Sequence, residues 1–279
     1  MGQIKASGVI VLMAVYERDD PAHFRAALHA ITERQSLPPA RVLVVADGAL
    51  PEGLREALAS HRAECPISTD VLFLPANVGL SNALRAGAER LNGRCRYILR
   101  TDADDISRPE RIAEQVAYME AHPEVGVASA QVSIFESAPE RPVGQRRLPA
   151  GLDLAAYARR RTPINHSASI FRAEALASVP FPETRLPFED WWISLRLIRA
   201  GWAIGVIDAV HLDFRGGRAM IARRSGLGYA LKEVAFFRQI LREGLMTLPE
   251  VAANLAQRLP LRLLPGPLMQ ELYARRLHR

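Results

Sequence analysis

The sequence predicts an α/β protein in which a mostly parallel sheet carries helices on both faces and ends in a helical tail. Three observations predict it. Short apolar runs alternate, from Gly8 to Ala130, with amphipathic stretches of roughly 10–15 residues, the pattern of units that build parallel sheets. The runs are near-continuously hydrophobic rather than alternating, as strands covered on both faces are. Polar side chains stand just after the runs, at the carboxyl ends where open α/β sheets bind ligands.

Each element has its own signal. Gly8–Val15 (GVIVLMAV) is the first strand, and Pro21 opens a helix reaching about Arg34. Arg41–Ala46 (RVLVVA) is the second strand, stopped by Asp47-Gly48, with a helix over Pro51–His61. Asp70–Leu74 is the third, followed by a Pro75–Gly79 loop and a helix over Leu80–Leu91. A fourth strand begins at Tyr97 and runs into Asp102-Ala103-Asp104-Asp105. A helix from Arg108 to about His122 leads to a fifth strand, Val125–Ala130. Beyond residue 131 the pattern loosens. Ser137–Pro149, rich in Pro, Glu and Arg, reads as a mobile loop, and Ala168–Phe171 as a strand. Phe188–Arg199 reads as a helix with Trp192, Leu195 and Ile198 at helical spacing.

At 279 residues the chain is long enough for a full core, and 49% hydrophobic with 24% charged residues is ordinary globular composition. A net charge of +6 implies an anionic partner: nucleotide phosphates, an acidic membrane surface or nucleic acid. The basic residues are spread along the chain rather than interleaved with aromatics on one segment, which argues against nucleic acid. Met1–Ser7 lacks a leader pattern and no run of 18 apolar residues occurs, so a cytoplasmic protein, at most peripheral on the inner face of the membrane, is expected. Cys65 and Cys95, far apart, read as thiols in a reducing compartment. Self-association is compatible with all of this.

The acidic end of the fourth strand carries the chemistry. In extended backbone Asp102 and Asp104 point the same way, roughly 6–7 Å apart. Carboxylates that close repel unless a cation lies between them, and Mg²⁺ or Mn²⁺ suits such oxygen ligands together with substrate phosphates. The competing reading is an Asp-rich helix start, with Asp105 or Ser107 as cap. The other strand ends bring Tyr16 and Glu17, Asp47 and Asn77 to the same crevice. No G-x-G-x-x-G follows the first strand and no P-loop occurs, since Gly226-x-Gly228 has Leu231 at the third position. Glu189-Asp190 opens the later helix beside Trp191 and Trp192. These acids serve either the helix dipole or a reaction as general base, with the tryptophans as an acceptor platform.

Six pieces in order, MAVYERDD, VVADG, LPANVGLSNALRAG, RTDADDISRPERIAEQV, PINHSASIFR and FEDWWISLRLIRAG, resemble the family 2 glycosyltransferases of bacterial surface-polysaccharide assembly over about residues 8–240. The resemblance implies the Rossmann-like GT-A fold, with a nucleotide-sugar half to about residue 130 and an acceptor half to about 240. It implies inverting transfer from a nucleoside-diphosphate donor, usually a UDP-sugar, to a saccharide or lipid-linked acceptor. Carried over residue by residue, Asp104 would bind Mn²⁺ or Mg²⁺, and Asp102 would face the metal or the ribose. Asp47, although set in Ala-Asp-Gly rather than the usual Asp-Asp-Gly, would contact the uracil. Ala14, Val15, Tyr16 and Glu17 would surround the base, with Asn77 and Gly79 also at the donor. Arg215 and the Arg218, Arg223, Arg224 cluster would face the diphosphate. Asp190 would be the catalytic base beside Glu189, with His166, Trp191 and Trp192 on the acceptor side.

Residues 241–279 mix Leu with Arg258, Arg262, Arg275, Arg276 and Arg279, and Pro260, Pro265 and Pro267 are expected to break them into short pieces. Such a basic amphipathic tail suits an anionic membrane surface, the alternative being a helix packed on the catalytic domain. Two rival functions remain: a metal-dependent nucleotidyltransferase or phosphatase on a similar sheet, and a basic membrane-surface protein without catalysis.

Overall fold

The computed structural model describes residues 8–151, 154–216 and 225–264. Strands β1 (Val9–Val15), β2 (Arg41–Ala46), β3 (Thr69–Phe73) and β4 (Tyr97–Asp102) lie parallel in the order β3-β2-β1-β4. Helices α1 (Pro21–Ile31), α2 (Glu52–Glu64) and α3 (Leu80–Leu91) connect them, as the alternation predicts. The sheet then turns mixed. β8 (Ile170–Arg172) runs antiparallel beside β4, and β6 (Val125–Phe135) beside β8. β9 (Ala203–Arg215) lies parallel to β6 and is edged by the two-residue β5 (Ile106–Ser107).

One face of the sheet packs against α1, α2 and α4 (Arg111–Ala121) through Phe24, Leu28, Leu54 and Ile112, all fully buried. The other face packs against α3, α6 (Ala173–Ser178) and α7 (Glu189–Arg199). On α3, a Cβ at Gly87 would stand 2.4 Å from Leu12 Cδ1, so glycine is what lets this helix seat against β1.

The later chain departs from the sequence expectation. β6 runs past the expected end at Ala130 to Phe135 because Gln131 and Ser133, where the apolar pattern loosens, are buried strand residues like Ser129. The Ser129 hydroxyl donates to the Asn165 carbonyl, and the Gln131 amide to the Leu148 carbonyl. The expected mobile loop at Ser137–Pro149 contains β7 (Pro142–Arg146), an antiparallel edge on β6. β9 had no counterpart in the sequence reading. The helix expected from Arg108 starts at Arg111, since residues 106–107 pair with β9 instead. A short helix, α5 (Ala155–Ala158), and a 3₁₀ turn at His166–Ala168 precede β8.

Helices α8 (Leu227–Arg242) and α9 (Leu248–Arg262) close the described chain. Pro260 lies inside α9 rather than ending it; only the last turn follows it. Nor do all the tail arginines face outward. Arg258 and Arg262 both pair with Glu233 of α8, which is fully buried. Glu243, just after α8, accepts from both Nε and Nη2 of Arg196 at 2.8 Å and from Trp192 Nε1 at 3.1 Å, tying α8 to α7. The Arg275, Arg276 and Arg279 part of the expected tail lies outside the described residues. No helix among the described residues is long and apolar enough to cross a membrane.

Candidate active site

Register places the site. Ala14 of β1 pairs with Asp102 of β4 on one side and Val45 of β2 on the other, so the residues beyond them share one rim of the parallel strands. At that rim Asp102, Asp104 and Asp105 each offer a carboxylate oxygen within 4.8 Å of the others. Asp105 is no helix cap: it is buried, its Oδ1 accepts from the Arg215 backbone N–H at 2.9 Å, and its Oδ2 has no partner. Arg215 also donates from Nε to the Asp104 carbonyl at 3.1 Å, so β9 grips the acidic loop twice.

Arg100, one turn of the strand back, is 2% exposed and donates from Nη2 to Asp102 Oδ1 at 2.5 Å. Burial alone would lower its pKa, but Asp102, with Glu189 and Asp105 behind it, raises it. Arg111, also buried, straps the loop from beneath, donating to the Ser107 hydroxyl and to the carbonyls of Arg100 and Ser167. Burial, and then the neighbouring Asp102, push Asp104 up to about 6, with Arg215 pulling the other way. Asp105 is raised well above the carboxylate range by burial and by Asp102 and Asp104. Asp19, in the loop after β1, is raised to about 6, mainly by burial, with Asp104 and Asp102 adding.

Three crowded carboxylates, one with a buried oxygen lacking any partner, fit a hard divalent cation: the donors are all oxygen and the surplus negative charge is what such an ion neutralises. The pH dependence has a definite sign. Groups raised from 3.8 to about 6 hold more protons folded than unfolded between those values, so the metal-free protein loses stability as pH climbs through that window. Mn²⁺ requires those protons to leave, so its affinity rises over the same window. Melting temperature measured from pH 4 to 8 in EDTA and in Mn²⁺ checks this: the two curves are expected to diverge upward in pH, and parallel curves would contradict it.

Across the crevice, α7 begins after Phe188, whose φ of 76° makes it the one non-glycine residue with positive φ among the described residues. Such strain concentrates at functional sites. Glu189 Oε1 lies 3.2 Å from His166 Nδ1; burial raises the Glu189 carboxyl, but His166 and Arg100 together hold it below its ordinary value. Asp190 accepts from the Thr162 hydroxyl at 3.1 Å and from the Trp191 N–H at 2.8 Å, which fixes its orientation. Glu189 lines a cavity of 380 Å³ with Gly79, Leu80, Arg185, Tyr229 and Lys232. The two acidic groups therefore lie around one buried guanidinium, that of Arg100.

Other expected positions fare unevenly. Both oxygens of Asp47 are taken by the loop after β3, accepting from Val78 N–H at 2.7 Å and Gly79 N–H at 3.0 Å. Asp47 therefore shapes the donor-side loop, and each of its oxygens keeps a lone pair beyond the bond it accepts. Asn77 belongs to that loop, and its carbonyl accepts from Arg185. Val15 is buried in the core and only its backbone reaches the rim; Ala14 and Tyr16 are half-buried, and Glu17 is exposed. Trp191 and Trp192 form no acceptor platform. They are 1% and 4% exposed, packed on Phe236 and Phe237 of α8, with their ring N–H groups donating to Ala158 O and to Glu243. Arg218, Arg223 and Arg224 lie outside the described residues. Sequence reasoning missed Asp19, Arg100, Asp105, Arg185, Tyr229 and Lys232. For Arg100 a signal existed: a lone cation in an apolar strand, two residues before the first carboxylate.

Comparison with known proteins supplies the remaining findings. The pattern of Glycosyl transferase family 2 matches residues 10–179. The chain is 33% identical over 230 residues, 82% of itself and 84% of the relative, to the amylovoran biosynthesis glycosyltransferase AmsE of Erwinia amylovora. It is 27% identical, over 96% of both chains, to the UDP-Gal:alpha-D-GlcNAc-diphosphoundecaprenol beta-1,3-galactosyltransferase of Escherichia coli. Among solved structures, the mannosyltransferase PcManGT of Pyrobaculum calidifontis in complex with GDP-Man and Mn²⁺ superposes with a TM-score of 0.61 at 19% identity, over 97% of this chain and 80% of that one. S. aureus TarS 1-349 in complex with UDP superposes with a TM-score of 0.58 at 15% identity over 81% of this chain, which spans 65% of TarS 1-349. Both share its curled mixed sheet, the GT-A fold.

Proposed function

The chain belongs to the family 2 glycosyltransferases, and from that membership we propose that it moves a sugar, with inversion, from a nucleoside-diphosphate donor to a hydroxyl of a lipid-linked saccharide during surface-polysaccharide assembly. The observation that carries the reading is the pairing of two acidic groups around Arg100: a three-carboxylate cluster at the strand rim and an oriented acid pair at the start of α7. A UDP-sugar is the first donor to test, and lipid-linked GlcNAc the first acceptor, because the Escherichia coli relative is named for that chemistry.

Inversion needs one displacement and one base, with no carboxylate nucleophile. Asp190 is that base: its two oxygens are held by one donor each, which leaves a lone pair on each to receive the acceptor's proton. Glu189 is the weaker choice, since its carboxyl is held low and engaged with His166. Asp102, Asp104 and Asp105 would hold Mn²⁺ or Mg²⁺, and that ion supplies charge neutralisation for the departing diphosphate. Arg215, anchored to the acidic loop, adds a fixed cation on the same side. Arg185, Lys232 and Tyr229 wall the cavity where acceptor and donor sugar would meet. Exposed Leu227, Leu231 and Leu248 on α8 and α9 suit contact with a membrane that carries such an acceptor.

The test is a transfer assay with UDP-sugars and GDP-mannose, using GlcNAc-diphosphate-lipid in phosphatidylglycerol vesicles with and without Mn²⁺. Mass spectrometry should show one added hexose and NMR the inverted anomeric linkage, only with metal. Release of phosphate, or nucleotidyl transfer without a new glycosidic bond, would favour the nucleotidyltransferase or phosphatase alternative.

A further inference from the structure

Far from the carboxylate rim, two helices bring a different set of donors together. His29 lies in the last turn of α1 and Glu33 just after it; His61 lies in the last turn of α2 and Cys65 caps that helix. Each pair is spaced i, i+4, so each presents its two side chains on one helix face. Glu33, His61 and Cys65 offer a carboxylate oxygen, an imidazole nitrogen and a sulfur all within 4.8 Å of one another, and His29 Nδ1 lies 3.1 Å from Glu33 Oε1.

A second observation points to a ligand. His61 is 7% exposed, and its Nε2 is buried without a hydrogen-bond partner. Such a group is costly to leave unsatisfied. Cys65 is 9% exposed, and its sulfur accepts from the Ile67 N–H at 3.4 Å. The carbonyls that end α2 add partial negative charge beside it.

We propose that His29, Glu33, His61 and Cys65 form a structural zinc site clamping the end of α1 to the end of α2. The mixed nitrogen, sulfur and oxygen donors select a borderline-soft ion over Mg²⁺ or Ca²⁺. Zn²⁺ with one thiolate and one carboxylate is neutral, and the thiol proton leaves to solvent on binding. Zinc–ligand bonds of 2.0–2.3 Å set ligand atoms roughly 3.3–3.7 Å apart, so the three donors close by about an ångström. Glu33 is exposed and His29 is on the surface, so both are free to make that movement. Helices α1 and α2 run back against parallel strands, so their ends lie at the opposite edge of the sheet from Asp102. The ion therefore braces the fold and takes no part in transfer.

Cobalt distinguishes this site from the oxygen-only carboxylates, because only a cysteine ligand gives a thiolate-to-cobalt charge-transfer band. Full-length protein stripped with EDTA and titrated with Co²⁺ should show that band with a tetrahedral visible spectrum, and Zn²⁺ should displace it at one ion per chain. Cys65→Ser should abolish the band. Glu33→Gln, a change at an exposed position, should weaken Zn²⁺ at least about tenfold, by analogy with the 10–100-fold that even outer-shell losses cost. Zinc should raise the melting temperature of the wild type more than that of either variant, with Mn²⁺-dependent turnover unchanged. No thiolate band in the wild type, a band that survives Cys65→Ser, or zinc affinity untouched by both substitutions would overturn the site.

Discussion

Asp104→Asn will cut sugar transfer by about 10³-fold or more while leaving the protein folded. The loss follows from the charge that accumulates on the departing diphosphate. Single electrostatic contributions to such charge are worth about 10²–10³ in rate, and a metal ion contributes several kcal/mol, at about 1.4 kcal/mol per factor of ten. The stability effect has the opposite sign from that of most core substitutions. Asp104 is held up near 6 because burial and Asp102 disfavour its charge, so a neutral amide relieves repulsion in the metal-free chain. Melting in EDTA should therefore be unchanged or higher, while the stabilisation by Mn²⁺ with UDP falls away. Near-normal transfer by this variant would remove Asp104 from the mechanism.

Asp190→Asn is expected to lower kcat by about 10²–10⁴-fold, the usual size for a lost general base, with donor KM and melting temperature nearly constant. The Thr162 hydroxyl and Trp191 N–H can still orient the amide, so the helix start survives. Glu189→Gln behaves differently. It withdraws one of the charges that balance the buried Arg100 and loosens His166, so melting temperature and kcat should fall together. Side-by-side measurement of both variants decides the roles. A stable but inactive Glu189→Gln beside an active Asp190→Asn would exchange them.

The parallel half of the sheet was readable because its strands are buried on both faces and spell out as apolar runs; all four fall within a residue or two of expectation. The mixed half was not. β9 carries Asp208, His211 and Asp213 among its apolar residues, and β7 is written in Pro, Gly, Gln and Arg, so neither has the pattern of a covered strand. The same asymmetry runs through the site. Asp102, Asp104 and the Glu189-Asp190 pair could be picked out because clustered acids at an element's end are locally conspicuous. Arg100 beside Asp102 is local, but its link to Glu189, distant in the chain, is not, and Lys232 acquires its meaning only from the cavity it lines. Trp191 and Trp192 were misassigned because helical spacing says that a face is apolar, not whether protein or substrate covers it. Asp47 stands at the strand end where the sequence puts it, and its carboxylate braces the backbone of the neighbouring turn, a contact no local pattern announces.

The inward-facing Glu233 bears on how this enzyme could be re-engineered. Its neighbour Lys232 looks into the cavity, while Glu233 itself pairs with two arginines of the following helix. Clipping the chain after α8 would strand that carboxylate. A graft from a relative should therefore carry both terminal helices as one cassette, joined near residue 225, with the Glu243 contacts to Arg196 matched at the seam. Cut there, the sheet of one family member and the terminal helix pair of another become parts that can be recombined.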